Sequence, residues 1–160
     1  MSLHIRQAGP LDASQMASLL NEIISIGGTT AYVNPVSASK LRDWMAQDNA
    51  IWQVAENDKG EILGFQWIQD HPDLPETDCD IASFVKVGAV GLGVGSKLFE
   101  KTKGVAKQNG YCFIHAVIRD DNESGLSYYQ SRGFENYRRL KDVTLDNGMI
   151  VDKIWKRYEL

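Results

Sequence analysis

The stretch Val85-Lys-Val-Gly-Ala-Val-Gly91-Leu-Gly93-Val-Gly95-Ser-Lys-Leu98 sets three alternate glycines between an apolar run and a helical pattern. Glycine has no Cβ, so it reaches positive φ and lets several backbone N–H groups converge on one anion. A helix starting near Gly93 adds its positive dipole end and the unpaired donors of its first turn. Together these make a cradle for a pyrophosphate. Two better-known cradles fail against the letters. The dinucleotide pattern G-x-G-x-x-G needs a glycine at 96 or 98, which are Ser96 and Leu98, and a Walker loop needs Gly-Lys-Ser/Thr, whereas Gly95 is followed by Ser96 and Lys97. The plainer alternative is that these glycines only let a strand and a helix pack closely.

The hexad Val90, Gly91, Leu92, Gly93, Val94 and Gly95, with Ser96 after it, resembles motif A of the GNAT acetyltransferases, Gln/Arg-x-x-Gly-x-Gly/Ala. In that family the turn's amides hold the pyrophosphate of acetyl-CoA. Val90 stands where the family usually has Gln or Arg, which removes a side-chain contact, leaves the backbone donors and implies weaker coenzyme binding. Residues 122–134, Asn122-Glu-Ser-Gly-Leu-Ser-Tyr-Tyr129-Gln-Ser-Arg-Gly133-Phe134, resemble the second signature, Asn-x-x-Ala-x-x-x-Tyr-x-x-x-Gly-Phe, with Gly125 in place of the small alanine. The resemblance spans nearly the whole chain. It implies an α/β GNAT fold over residues 1–160: a mixed, mostly antiparallel sheet with helices on both faces, splayed so that the coenzyme wedges in. It further implies acetyl-CoA as cosubstrate without a metal, direct transfer to the primary amine of a small amino-acid-like acceptor, and a homodimer. A ternary complex is expected, because neither Cys79 nor Cys112 has a histidine activator in sequence.

Roles carry over residue by residue. Tyr129 matches the family tyrosine beside the coenzyme sulfur, the general acid, and Asn122 the asparagine that contacts the pantetheine arm. The backbone of Phe84, Val85 and Val87 matches the strand that pairs with pantetheine. Asp80, five residues before Val85, matches a glutamate of the phosphinothricin-type subgroup and would be the base, acting through water. Thr29-Thr30-Ala31-Tyr32, Pro35 and Trp44 resemble that subgroup too, and Tyr32, Trp44 and Trp67 are candidates for the acceptor pocket. No arginine occurs between Arg42 and Arg119 to grip a substrate carboxylate. Each assignment has an ordinary competitor: Tyr129, Tyr32, Trp44 and Trp67 as packing aromatics, and Asp80 as a solvated acid beside Glu76 and Asp78. His115 in its apolar strand reads as a hydrogen-bonded core histidine without a role. The rival functions are a coenzyme-binding sensor without turnover and an acetyltransferase of protein termini or lysines.

The elements that would position these residues follow from periodicity. A first strand covers 3–8, and Pro10 and Asp12 start a helix whose Met16, Leu19, Leu20, Ile23 and Ile24 make one apolar stripe ended by Gly27 and Gly28. Ser37 or Ser39 caps a short helix carrying Leu41, Trp44 and Met45. Strands at 51–55 and 62–68 flank the turn 57–60, and a proline-containing loop spans 70–77. A strand over 79–87 enters the glycines, and a helix over 93–109 presents Val94, Leu98, Phe99, Val105 and Ala106. A central buried strand over 111–118 precedes a helix over 123–131, and strands near 134–140 and 149–155 finish the chain.

Composition bounds the remaining possibilities. At 160 residues with 43% apolar content, the chain suits one domain with its own core. Seventeen basic against twenty-one acidic residues give net −4, without the basic stripe that nucleic acid requires. No apolar run nears the ~18 residues of a membrane span, and 1–6 lack the apolar stretch of a secretory signal, so a cytoplasmic protein is expected. The two cysteines have no CxxC spacing for zinc.

Overall fold

The computed structural model describes residues 2–89 and 91–160. Val90, the first position of the glycine hexad, lies outside the described residues. Strand β1 (His4–Gln7) leads through a 3-10 turn (Pro10–Asp12) into helices α1 (Ala13–Ile26) and α2 (Ala38–Met45). Strands β2 (Ile51–Glu56), β3 (Ile62–Gln69) and β4 (Asp78–Val85) follow, then α3 (Val94–Gln108), β5 (Phe113–Arg119), α4 (Glu123–Ser131), β6 (Glu135–Thr144) and β7 (Ile150–Glu159). One seven-stranded sheet runs β1-β2-β3-β4-β5-β7-β6. Every neighbouring pair is antiparallel except β4 and β5, which are parallel.

Helices cover both faces because β3 is buried on both. Its Phe65 and Trp67 join Trp52, Phe84 and the stripe Met16, Leu20 and Leu41 of α1 and α2. On the other face α3 sends Val94 and Leu98 onto Ala55 and Leu63, and Phe99 and Ala106 onto Ile68 and Ile114. The helix ends follow local chemistry. Ser37, not Ser39, caps α2 by accepting the Lys40 N–H at 3.0 Å, and α1 stops at Gly27, whose φ of 79° an L side chain resists.

Several boundaries differ from the sequence-based expectation. Thr102 is buried on α3, whereas Val105 is only half-buried, since 102 lies three residues from Phe99 and four from Ala106 on the same face. β5 begins at Phe113 because the Tyr111 N–H bonds the Ala106 carbonyl and closes α3, while the Cys112 N–H bonds Thr77. β6 and β7 are longer than their apolar content suggests. β6 is a largely exposed edge strand with two register shifts, so it carries little alternation to read. Among the described residues no helix is long and apolar enough to cross a membrane.

Candidate active site

The site originates in a failure of strand pairing. β4 and β5 are in register only at Asp78↔Phe113, Cys79↔Ile114 and Asp80↔His115; beyond Asp80 they part, although each strand continues. The β5-facing edge of β4 from Ile81 to Val85 is therefore left without a strand partner. Two cavities open at the splay, one of about 410 Å³ and one of about 610 Å³. Five residues line both: Thr29, Ser83, Phe84, Asn122 and Tyr129. These mark a seam where the contents of the two cavities would meet.

The larger cavity is walled by the glycine turn and α3. Gly91 and Gly93 take φ of 93° and 79°, in the left-handed region that strains residues bearing a Cβ. Gly93 is the N-cap of α3 and supplies no side-chain acceptor, so the first-turn amides of Val94, Gly95 and Ser96 have no capping partner among the described residues. Gly95 is needed for a different reason. A Cβ there would lie 2.8 Å from Cε1 of Tyr128, whose hydroxyl donates to the Gly95 carbonyl at 2.7 Å and ties α4 to the start of α3. Arg132 donates to the Ser96 hydroxyl, placing a guanidinium beside the turn. Free amides, a helix N-terminus and a nearby cation together fit a diphosphate.

At the seam Tyr129 is buried, its ring packed edge-on against Tyr128 and Phe134. Its hydroxyl lies 2.8 Å from Ser83 Oγ. Burial holds this phenol well above its usual range, and the Ser83 bond opposes that rise. Asn122 caps α4: its Oδ1 accepts the Gly125 N–H at 3.0 Å, and its Nδ2 donates to the Thr29 carbonyl at 2.7 Å. A Cβ on residue 125 would sit 2.3 Å from Asn122 Nδ2, so Asn122 in this placement leaves room only for glycine there.

The smaller cavity carries the charges. Asp80 is half-buried in its wall, and burial pushes the carboxyl up to about 6, partly offset by His71 and the Ile81 N–H. The same cavity is lined by Arg119 and Lys153, register partners on β5 and β7. Arg119 is held by Asp121 at 2.7 and 2.9 Å and by the Thr30 carbonyl. The Lys153 ammonium forms no ion pair among the described residues, and burial with the nearby Arg119 lowers its pKa. His115 is fully engaged: Trp155 Nε1–H donates to Nδ1 at 2.8 Å, which leaves the proton on Nε2 for Asp78 Oδ2 at 2.7 Å. It orients strands and has no free lone pair.

Of the residues expected from sequence, Phe84, Val85, Val87, Gly91, Gly93, Val94, Gly95, Ser96, Asn122 and Tyr129 line the larger cavity, and Asp80 and Tyr32 the smaller. Leu92 lines neither and is half exposed. Trp67 is a core residue: its ring lies 4.0 Å from Trp52 and nearly parallel to it. Trp44 stands behind Tyr32, stacked at 5.4 Å, and lines neither cavity. Sequence reading missed Ser83, Gln66, Arg119 and Lys153. Only the alternation of β4, which places Ser83 between two apolar neighbours, hints at the first.

The GNAT acetyltransferase family model matches residues 18–134. A Bacillus subtilis strain 168 protein, provisionally named a phosphinothricin acetyltransferase, is 22% identical over 161 residues, covering 98% of this chain and 94% of the relative. Mycothiol acetyltransferase of Kocuria rhizophila is 28% identical over 99 residues, covering 60% of this chain but 33% of that protein, so the match spans about a third of the curated relative. Among solved structures, an N-acetyltransferase from Staphylococcus aureus Mu50 superposes with a TM-score of 0.89 at 21% identity, covering 99% of both chains. A phosphinothricin acetyltransferase from Sinorhizobium meliloti, solved in complex with acetyl-CoA, gives 0.87 at 21% identity over all of this chain and 89% of its own.

Proposed function

This chain belongs to the GNAT acetyltransferase family, and on that premise we propose that it transfers an acetyl group from acetyl-CoA directly to the primary amine of a small amino-acid-like acceptor. The observation that carries this reading is the seam: a cavity with a diphosphate-fitting turn and a cavity with a raised carboxyl meet at Ser83, Phe84 and Tyr129. Acetyl-CoA supplies the acyl group and a thiolate leaving group, so a C–N bond forms as the C–S bond breaks and sulfur ends protonated. The amides of Gly91, Gly93, Val94, Gly95 and Ser96 hold the pyrophosphate. The unpaired edge of β4 at Phe84 and Val85 pairs with the pantetheine amides as an added strand. No metal is required by this chemistry.

Asp80 receives the proton of the acceptor ammonium, directly or through water, and with its carboxyl near 6 it is ionised at neutral pH while remaining a better base than an ordinary aspartate. Tyr129 delivers a proton to sulfur. Its burial keeps the phenol protonated, and a thiolate generated in the same poorly solvated seam is destabilised alongside it, which favours the transfer. Lys153 is the cation available to an acceptor carboxylate, with Tyr32 and Phe84 as apolar walls. These features support a free amino acid or close analogue over a neutral amine.

Bisubstrate initial rates, followed as thiol release over a panel of amino acids, phosphinothricin and peptides, test the reading. Intersecting plots with a zwitterionic acceptor are expected, whereas parallel plots would require a covalent intermediate. Tight coenzyme binding without turnover on any amine would instead make the chain a sensor, and preference for peptides would overturn the acceptor class. A homodimer belongs to the same reading, and light scattering after gel filtration tests it.

A further inference from the structure

Gln53, Gln66 and Ser83 occupy one cross-strand polar row through β2, β3 and β4. Gln66 is fully buried, and its Oε1 has no hydrogen-bond partner among the described residues. An orphaned buried carbonyl is unfavourable, and a methionine or leucine would fill the space without it. The amide end of Gln66 has two partners. Nε2 lies 2.7 Å from Ser83 Oγ and 3.2 Å from the Tyr128 hydroxyl.

Donor counting orients the Gln66 end of this network. Tyr128 uses its only hydroxyl proton on the Gly95 carbonyl at 2.7 Å, so its oxygen can only accept, and the Gln66 atom that faces it must be the N–H donor. The second N–H of that amide then points at Ser83, whose oxygen accepts it. Ser83 then has its own proton to give and lies 2.8 Å from Tyr129 Oη, a pair in which either hydroxyl can be the donor. With Oη accepting from Ser83, the Tyr129 proton is left to point into the seam.

We propose that Gln66 and Ser83 are positioning residues for the acid step, forming a one-way donor chain from Gln66 N–H through Ser83 O–H to Tyr129 Oη that aims the tyrosine proton at the coenzyme sulfur. The inference rests on Tyr129 being the acid. As Tyr129 gives its proton to sulfur, the growing charge on Oη is met by the Ser83 O–H, itself polarised by Gln66, so the chain strengthens when it is needed. The proton passes from oxygen to sulfur with no net change in charge within the seam. Tyr129 is restored by the proton that the acceptor nitrogen loses on becoming an amide.

The test reads the bound thiol directly, using coenzyme A itself. The ultraviolet absorbance of the thiolate is titrated in complexes of wild type, Ser83→Ala, Ser83→Thr, Gln66→Met, Gln66→Glu and Tyr129→Phe, beside calorimetric coenzyme affinities. The expected result is that Ser83→Ala and Gln66→Met raise the proton affinity of the bound thiol roughly three- to tenfold, as loss of one buried hydrogen bond implies, while coenzyme affinity holds. Gln66→Glu reverses the donor direction and is expected to raise it at least as far, and Ser83→Thr, which keeps the hydroxyl, to restore it. Gln66→Met introduces no charge, so it reports even if the glutamate variant does not fold. A wild-type titration in Ser83→Ala and Gln66→Met, with Tyr129→Phe shifted, would overturn the chain and leave Tyr129 standing. A wild-type titration in Tyr129→Phe would remove the acid assignment and the chain with it.

Discussion

Replacing Asp80 with asparagine is expected to make the protein more stable at neutral pH and less active. An unfolded aspartate titrates near its ordinary 3.8, whereas burial holds the folded carboxyl at about 6. Between these values the folded chain keeps a proton that the unfolded chain has lost. The contribution is therefore fully present below pH 3.8, is lost as pH rises to about 6, and stays lost above it. At about 1.4 kcal/mol for each tenfold change in proton affinity, the gap corresponds to a ceiling of about 3 kcal/mol. Water in the open cavity screens part of this, and we expect a gain of about 1–2 kcal/mol. Asparagine stands in for the protonated acid, so the two proteins should match near pH 4 and diverge to a plateau above pH 7. Urea unfolding followed by tryptophan fluorescence at pH 4.5 and pH 8 measures the difference. The acidic limb of kcat/KM near pH 6 should disappear in the variant, with a residual rate lower by roughly a hundredfold or more, in the range of general-base effects. A variant no more stable than wild type at pH 8, or a stability difference that does not shrink towards pH 4.5, would refute the strained carboxyl.

Gly93→Ala places a Cβ at φ 79° and is expected to lower stability by about 1 kcal/mol and to weaken coenzyme A binding, read by titration calorimetry. Gly95→Ala drives its methyl to within 2.8 Å of the Tyr128 ring, so thermal unfolding should show a loss of about 1–3 kcal/mol with weakened coenzyme binding. Lys153→Met should raise KM roughly ten- to hundredfold for acceptors with a carboxylate and leave neutral amines unaffected, the span of one charged hydrogen bond. Leu20→Ala, fully buried between α1 and the sheet, should cost about 2–5 kcal/mol by urea titration without changing KM for acetyl-CoA.

The parts whose chemistry is local are legible in the letters. Alternate glycines can be read because positive φ and close approach demand that residue type within a few positions, and the helix stripes because a period of 3.6 is visible in any ten letters. The order of elements and the αL cap at Gly93 follow from such short-range rules, and the second signature around Tyr129 is legible as a family resemblance. The remaining features depend on partners far apart in the chain. The divergence of β4 from β5 after three register pairs is invisible in either strand, because each is a complete strand with other neighbours. Trp67 and Tyr32 are both aromatic letters, yet sheet register stacks one on Trp52 and leaves the other at the cavity. Lys153 meets Arg119, and Gln66 meets Ser83, only through strand pairing. A carboxyl's pKa or a glutamine's orientation is set by the dielectric and donors around it, and those arrive from residues tens of positions away.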